Sequence, residues 1–73
     1  MAKSRVSNII RRLRFDRDEM TQKTLAETIG VTRQTVVAIE NAKYSPTLEL
    51  AFQIAEVFNM PIQDIFSYEG KPK

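Results

Sequence analysis

The fold is decided by residues 21–43, TQKTLAETIGVTRQTVVAIENAK, which predict two short helices joined by a tight turn. Thr21 is a suitable N-cap, and the apolar residues that follow it recur with the spacing of one helix face. Gly30 ends the first helix because glycine adopts the left-handed conformation without a Cβ penalty. Thr32 is a second N-cap, and it starts a helix that we expect to run from Arg33 to Ala42.

The outward face of this second helix suits the major groove of DNA. A helix enters the groove only if its outer face is slim and its first turn offers donors that match base edges. Arg33 can form a fork to guanine and Gln34 a fork to adenine, while Thr35 and Ala38 allow close approach or touch a thymine methyl group. These four residues are the predicted base-reading residues.

The start of each helix is a candidate phosphate site, because free backbone N–H groups and the positive end of the helix dipole favour an anion there. The residues at these starts that we predict to bind DNA phosphate are Thr21, Gln22, Lys23 and Thr32.

Composition limits the other possibilities. A chain of 73 residues predicts one domain that buries only about 60% of its unfolded surface, so a second subunit would add stability. Histidine and cysteine are absent, which excludes disulfides and Cys/His zinc sites. Because there is also no Gly-rich phosphate loop, we predict no catalytic residues, no cofactor and no metal site. With no apolar run near the roughly 20 residues of a membrane span, and no signal-peptide core, we expect a soluble, cytoplasmic protein without a membrane or small-molecule partner.

The net charge of +2 is unevenly distributed along the chain. Residues 1–44 carry nine Lys and Arg against five Asp and Glu, whereas residues 45–73 carry two against four. A basic half that contains the two capped helices, followed by an acidic half, suggests that one end meets a polyanion and the other meets protein.

The segments before the paired helices predict a further helix and a bend. Ser4 or Ser7 could cap a first helix whose inward stripe is Val6, Ile9, Ile10 and Leu13. The following segment, 15–20, would be a solvated bend with Phe15 and Met20 anchored in the core. Its three carboxylates match a calcium site poorly.

Two more helices are predicted after residue 44. Ser45 or Thr47 would cap a fourth helix, with an inward stripe of Leu48, Ala51, Ile54, Ala55 and Phe58 and with Asn59 as its C-cap. A fifth helix would run from Pro61 to about Ser67. Apolar residues left over on these helices are candidates for a dimer interface: Leu50, Phe52, Val57, Ile62, Phe66 and Tyr68. We expect residues 1–5 and 69–73 to be flexible on either side of a 6–68 domain.

The ordered pattern Thr21-Gln22, Leu25-Ala26, residues 29–36 (IGVTRQTV) and Ile39-Glu40 resembles the phage-repressor and Cro-like, or Xre-type, helix-turn-helix family. The later runs YSPTLELAF (44–52) and DIF (64–66) are similar to its compact single-domain members. The resemblance implies an all-α, five-helix, lambda-repressor-like domain with the helix-turn-helix at helices 2 and 3.

The resemblance also implies roles for individual residues. Arg14 would bond Glu40 late in the recognition helix as a structural ion pair. Asn41 and Lys43 would approach the DNA backbone, although simple solvation of Lys43 is an equal alternative. The family usually has glycine where Ala42 stands, so either Ala42 adopts a strained positive φ or the helix ends differently.

Together these features favour a transcriptional regulator that binds double-stranded DNA as a homodimer, is a repressor, and recognises an inverted repeat through the major groove. An alternative is an antitoxin-type module that binds a partner protein and regulates itself through DNA. Only about five residues follow Tyr68, which argues against a wrapping tail.

Overall fold

The structure, a computed structural model, describes residues 5–68. Its helices are α1 (Ile10–Asp16), α2 (Gln22–Ile29), α3 (Arg33–Glu40), α4 (Leu48–Phe58) and α5 (Ile62–Ile65). Strands β1 (Val6–Asn8) and β2 (Phe66–Tyr68) pair in antiparallel register, with Val6 opposite Tyr68. The expected five-helix architecture is confirmed, with a short two-stranded sheet added where the ends of the described chain meet.

The core is built from one apolar face of each helix. Its buried members are Ile10, Leu25, Ala26, Ile29, Val36, Ile39, Leu50, Ile54, Ala55, Phe58 and Ile65. No buried side-chain nitrogen or oxygen in residues 5–68 lacks a hydrogen-bond partner, as expected for groups whose desolvation is costly. The helix-turn-helix is thus fixed by packing on the inner sides of α2 and α3, which leaves their outer sides free.

Side-chain caps set where the helices begin. Thr21, Thr32 and Thr47 each accept a hydrogen bond from a backbone N–H three residues later, with donor–acceptor distances of 3.0 to 3.2 Å. The last of these assigns the α4 cap to Thr47 rather than Ser45. Gly30 and Asn59 have positive φ values of 77° and 54° and end α2 and α4, so both predicted C-caps are confirmed.

The predicted first helix was wrong at its N-terminus. Val6 and Ser7 lie in β1, and Ile9 is exposed, because the chain before Ile10 is extended and pairs with β2. The Asn8 side chain accepts a hydrogen bond from the Ile10 N–H at 3.1 Å and donates one to the Ile39 carbonyl at 2.8 Å. The alternative cap, Ser4, lies outside the described residues, as do residues 1–4 and 69–73 of the predicted flexible ends.

The apolar stripe of α4 is also rotated from its predicted position. Leu48 is 70% exposed, whereas Leu50 is 7% exposed and belongs to the core. Both leucines satisfy a helical period, and the tertiary packing selects the one that points with Ile54 and Phe58 into the core. Leu50 is therefore unavailable to a second subunit.

Two helix ends and the burial of one side chain also differ from the prediction. Helix α3 ends at Glu40 and not at Ala42, and α5 ends at Ile65, after which the chain becomes β2. Phe15 does not anchor the bend, because its side chain is 68% exposed, whereas Met20 does pack against the core.

No helix within residues 5–68 has the length and apolar character that crossing a membrane requires.

Candidate nucleic-acid interface

The base-reading candidates lie together on the outer side of α3. Arg33 and Gln34 occupy its first turn and are exposed, and Thr35 and Ala38 are half-buried beside them. Gln34, Thr35 and Ala38 also line a groove of about 300 Å³ that ends at Tyr44. The face is slim and carries two long donor side chains at its start, which is the shape that enters a major groove.

The cap of α3 constrains two of these residues. The Thr32 hydroxyl accepts from the Thr35 N–H at 3.2 Å, and the two threonine hydroxyls are 3.0 Å apart and share a hydrogen bond. This pairing fixes the Thr35 side chain in the first turn. Arg33 and Gln34 have no such bond within residues 5–68, so their donors remain free to meet base edges.

Arg14 links the three helices that carry the interface. Its guanidinium binds Glu40 through two contacts, Nε to Oε2 at 2.6 Å and Nη2 to Oε1 at 3.1 Å, and Nη1 donates to the Met20 carbonyl at 2.8 Å. The side chains are only 14% and 5% exposed. A bidentate pair of this kind fixes both position and angle. The geometry therefore ties α1 to the end of α3 and to the residue before α2.

Thr21 and Gln22, like Thr32, have part of their hydrogen-bonding capacity in use. Thr21 caps α2 and donates its hydroxyl proton to Thr24 at 3.0 Å, and Gln22 donates to Glu40 at 3.1 Å. The backbone N–H groups of Gln22 and Lys23 and the second amide proton of the Gln22 side chain remain for an anion, because the Thr24 N–H already binds the Thr21 hydroxyl. Gln22 is consequently oriented by the same carboxylate that Arg14 binds.

A cleft of about 530 Å³ separates α1 from the starts of α2 and α3. Among the phosphate candidates it brings together Thr21, Gln22, Lys23 and Asn41, with Arg33 on the same wall. Thr32 lies in the groove on the other side of α3. Lys43 is exposed to solvent and lines neither the cleft nor the groove. The predicted phosphate residues thus fall into one cluster and two separate positions.

The sequence favoured a solvated face for Arg11, with a phosphate contact left open as it was for Arg12, and did not assign Tyr44 to the interface. Arg11 lines the cleft, and Tyr44 lines the groove beside α3. The signal for Arg11 was present, since it precedes Arg14 by three residues and so shares its helix face. No comparable spacing indicated Tyr44, because it lies in the irregular segment between α3 and α4.

Ala42 adopts the strained alternative. Its φ is +59°, and the hydrogen bond from the Lys43 N–H to the Ala38 carbonyl, 2.9 Å long, closes the end of α3 around it. This is the bonding pattern in which glycine is usual. The chain therefore follows the path that a glycine would give, with a cost of about 1 kcal/mol from the alanine Cβ.

The fold agrees with comparisons to known proteins. The family model HTH_3, described as helix-turn-helix, matches residues 10–65, which is most of the chain. The protein belongs to the Cro/C1-type, Xre-like helix-turn-helix family. Its relatives in this family are transcriptional regulators. Family membership therefore makes the chain a DNA-binding regulator.

Relatives from archaea, bacteria and a phage share this core. An uncharacterized HTH-type transcriptional regulator of Methanocaldococcus jannaschii is 56% identical over 50 residues, covering 68% of this chain and 76% of the relative. Another from Bacillus subtilis, YgzD, is 51% identical over 49 residues, covering 67% and 74%. The cryptic phage CTXphi transcriptional repressor RstR of Vibrio cholerae is 38% identical over 61 residues, covering 84% of this chain and 54% of that protein.

A crystal structure of a proposed DNA-binding protein from Bacteroides fragilis has the same fold. Its TM-score is 0.74 at 22% sequence identity, and the match covers 85% of this chain and 98% of that one. At this identity the match establishes the fold alone.

Proposed function

We propose that the protein is a repressor that binds an inverted-repeat operator as a homodimer. The observation that carries the proposal is the free first turn of α3, where Arg33 and Gln34 are exposed beside a cationic cleft. Arg33 would read guanine and Gln34 adenine, with Thr35 and Ala38 at closer range. The repressor assignment is supported by the similarity to the phage repressor RstR.

Contacts with the DNA backbone would hold α3 in position along the major groove. Thr21, Gln22, Lys23 and Asn41 line the cleft and would hold one phosphate region, while Thr32 and Lys43 would approach the backbone elsewhere. Such contacts fix orientation and contribute affinity without sequence information. We expect Lys43→Ala to weaken binding to all duplexes alike and to flatten the salt dependence by about one unit.

The dimer would use the exposed start of α4. Leu48 and Phe52 are one helical turn apart on the same face, and Phe52 is 58% exposed. Of the predicted interface residues, Val57, Ile62 and Phe66 instead pack partly against the core, and Tyr68 is exposed in β2. Tyr44, four residues before Leu48, lines the groove beside α3, and a twofold axis at the Leu48–Phe52 patch would relate the two α3 helices of a dimer.

Sedimentation of matched variants tests the dimer. We expect Phe52→Glu to shift the protein toward monomer and to weaken operator binding, since it places a charge in the apolar contact. Phe15→Glu alters a similarly exposed phenylalanine on α1 and should leave the association state unchanged. A wild-type protein that stays monomeric on DNA, or a larger shift toward monomer in Phe15→Glu, would contradict this interface.

Selection of bound sites from a random DNA pool tests the function itself. Two α3 helices in successive major grooves require half-sites about 34 Å apart, so the enriched sequences should be inverted repeats with centres one helical turn apart. Enrichment of an asymmetric site, or no enrichment over the starting pool, would refute the proposal.

A further inference from the structure

Three positive charges face the cleft between α1 and the helix-turn-helix. Arg11 comes from α1, Lys23 from α2 and Arg33 from α3. Within residues 5–68 none of the three takes part in a hydrogen bond or ion pair, whereas Arg14 on the same wall is neutralised by Glu40. The cleft therefore presents cationic groups that an anion can approach without displacing a protein partner.

One carboxylate lines the same cleft without a partner. Glu19 lines it together with Arg11, and both residues also line an adjoining cavity of about 170 Å³. The ion pair found in residues 5–68 joins Arg14 to Glu40, so no cationic side chain of the described residues pairs with Glu19. A carboxylate at this place opposes the approach of a phosphate group that Arg11 attracts.

The backbone holds Glu19 in this position at a cost. Asp18 and Glu19 have φ values of 54° and 56°, in the left-handed region that strains residues other than glycine. The turn is closed by hydrogen bonds from the Glu19 N–H to the Phe15 carbonyl, 3.1 Å, and from the Met20 N–H to the Arg14 carbonyl, 2.9 Å. Arg14 also binds the Met20 carbonyl, so the network that orients α3 also fixes the turn that carries Glu19.

We propose that Arg11 and Glu19 act with opposite sign on the same DNA phosphate, so that Arg11 strengthens and Glu19 limits the sequence-independent part of DNA binding. The inference rests on the proposed function, because a phosphate reaches the cleft only when the outer face of α3 lies against DNA. Neither residue lines the groove of Gln34, Thr35 and Ala38, and neither is placed to contact a base edge, so we expect each to change affinity for all sequences by a similar factor.

Two matched pairs of variants of the full chain test the proposal. Glu19→Gln removes the charge in the cleft, and Asp16→Asn removes one from the exposed end of α1, outside the cleft. Arg11→Ala removes a positive charge that lines the cleft. Arg12→Ala removes the charge of an exposed neighbour that does not line the cleft. Fluorescence anisotropy would give the Kd for an operator obtained by selection and for an unrelated duplex, between about 50 and 200 mM salt.

Each cleft variant should differ from its control in DNA affinity, and the two cleft variants should change that affinity in opposite directions. At about 0.1 M salt we expect Glu19→Gln to tighten binding to both duplexes about threefold or more and to steepen the salt dependence by up to about one unit, with a much smaller effect of Asp16→Asn. Arg11→Ala should weaken binding to both by a similar factor and flatten the slope by about one unit, more than Arg12→Ala.

The outcomes separate this inference from the function on which it rests. If the wild-type protein binds DNA and each cleft variant matches its control, the roles of Arg11 and Glu19 are wrong while the regulator remains. If the wild-type protein binds neither duplex, the proposed function fails and this inference fails with it. Circular dichroism spectra and melting temperatures equal to wild type would show that the variants report binding and not unfolding.

Discussion

Removing Arg14 should destabilise the protein far more than removing any other arginine of α1. In Arg14→Ala, Glu40, whose side chain is only 5% exposed in the wild-type protein, loses both guanidinium contacts and keeps Gln22 as its donor. Breaking a buried pair by deleting one partner costs about 3 to 5 kcal/mol, because the other charge remains buried. Since Arg14 is itself 14% exposed and Gln22 remains, we expect a loss near the lower limit, about 3 kcal/mol.

That loss is large enough to measure without ambiguity. In a domain of this size each kcal/mol lowers the melting temperature by about 4 to 8 °C, so Arg14→Ala should melt some 12 to 24 °C below wild type. Thermal unfolding followed by circular dichroism measures the shift. Arg11→Ala is the control, because Arg11 lies on the same helix and has no bond within residues 5–68, and it should change stability by less than about 0.5 kcal/mol.

The coupling can be isolated with a second substitution. Adding Glu40→Gln to Arg14→Ala removes the stranded charge, and the double variant should recover part of the lost stability. Equal melting temperatures for Arg14→Ala and Arg11→Ala would refute the account in which this pair fixes the angle between α1 and α3.

Further expectations concern the backbone and the caps. Ala42→Gly should stabilise the protein by up to about 1 kcal/mol, because it relieves a φ of +59° and loses only part of that gain to unfolded-chain entropy. Gly30→Ala should destabilise it by a similar amount through its φ of +77° alone, since nothing lies within 4 Å of an added Cβ. Thr32→Ala should cost about 1 kcal/mol by removing the α3 cap. Chemical denaturation measures all three, and an Ala42→Gly variant less stable than wild type would show that the positive φ carries no strain.

Local rules predicted the helix-turn-helix well because its signals are local. Thr21, Gly30 and Thr32 act on backbone groups within a few residues, so the sequence alone specifies the two helices and their turn. The pairing of β1 with β2 joins residues about 60 positions apart, with only three residues in each strand. Three residues are too few to show the alternation of a strand, so the sequence alone places Val6 equally well in the apolar stripe of a helix.

The candidate site was predictable in type but not in its charge balance. The sequence indicates Arg33 and Gln34 as the exposed first turn of α3, and the structure has them there. The position of Glu19 depends on two consecutive left-handed residues in the bend before α2. Aspartate tolerates this conformation at Asp18, but glutamate gives no such signal at Glu19. Likewise, the choice between Leu48 and Leu50 depends on how α4 is rotated in the core, and that is a property of the whole fold.

The central claim is that the outer face of α3 reads bases through Arg33. Its most direct test is the affinity of wild type and Arg33→Ala for the selected operator and for operators with each base pair changed in turn. We expect Arg33→Ala to lose about 1 to 3 kcal/mol on the selected operator and little on the operator in which the base pair read by Arg33 is altered. An equal loss on every sequence would contradict the claim and leave Arg33 as a phosphate contact.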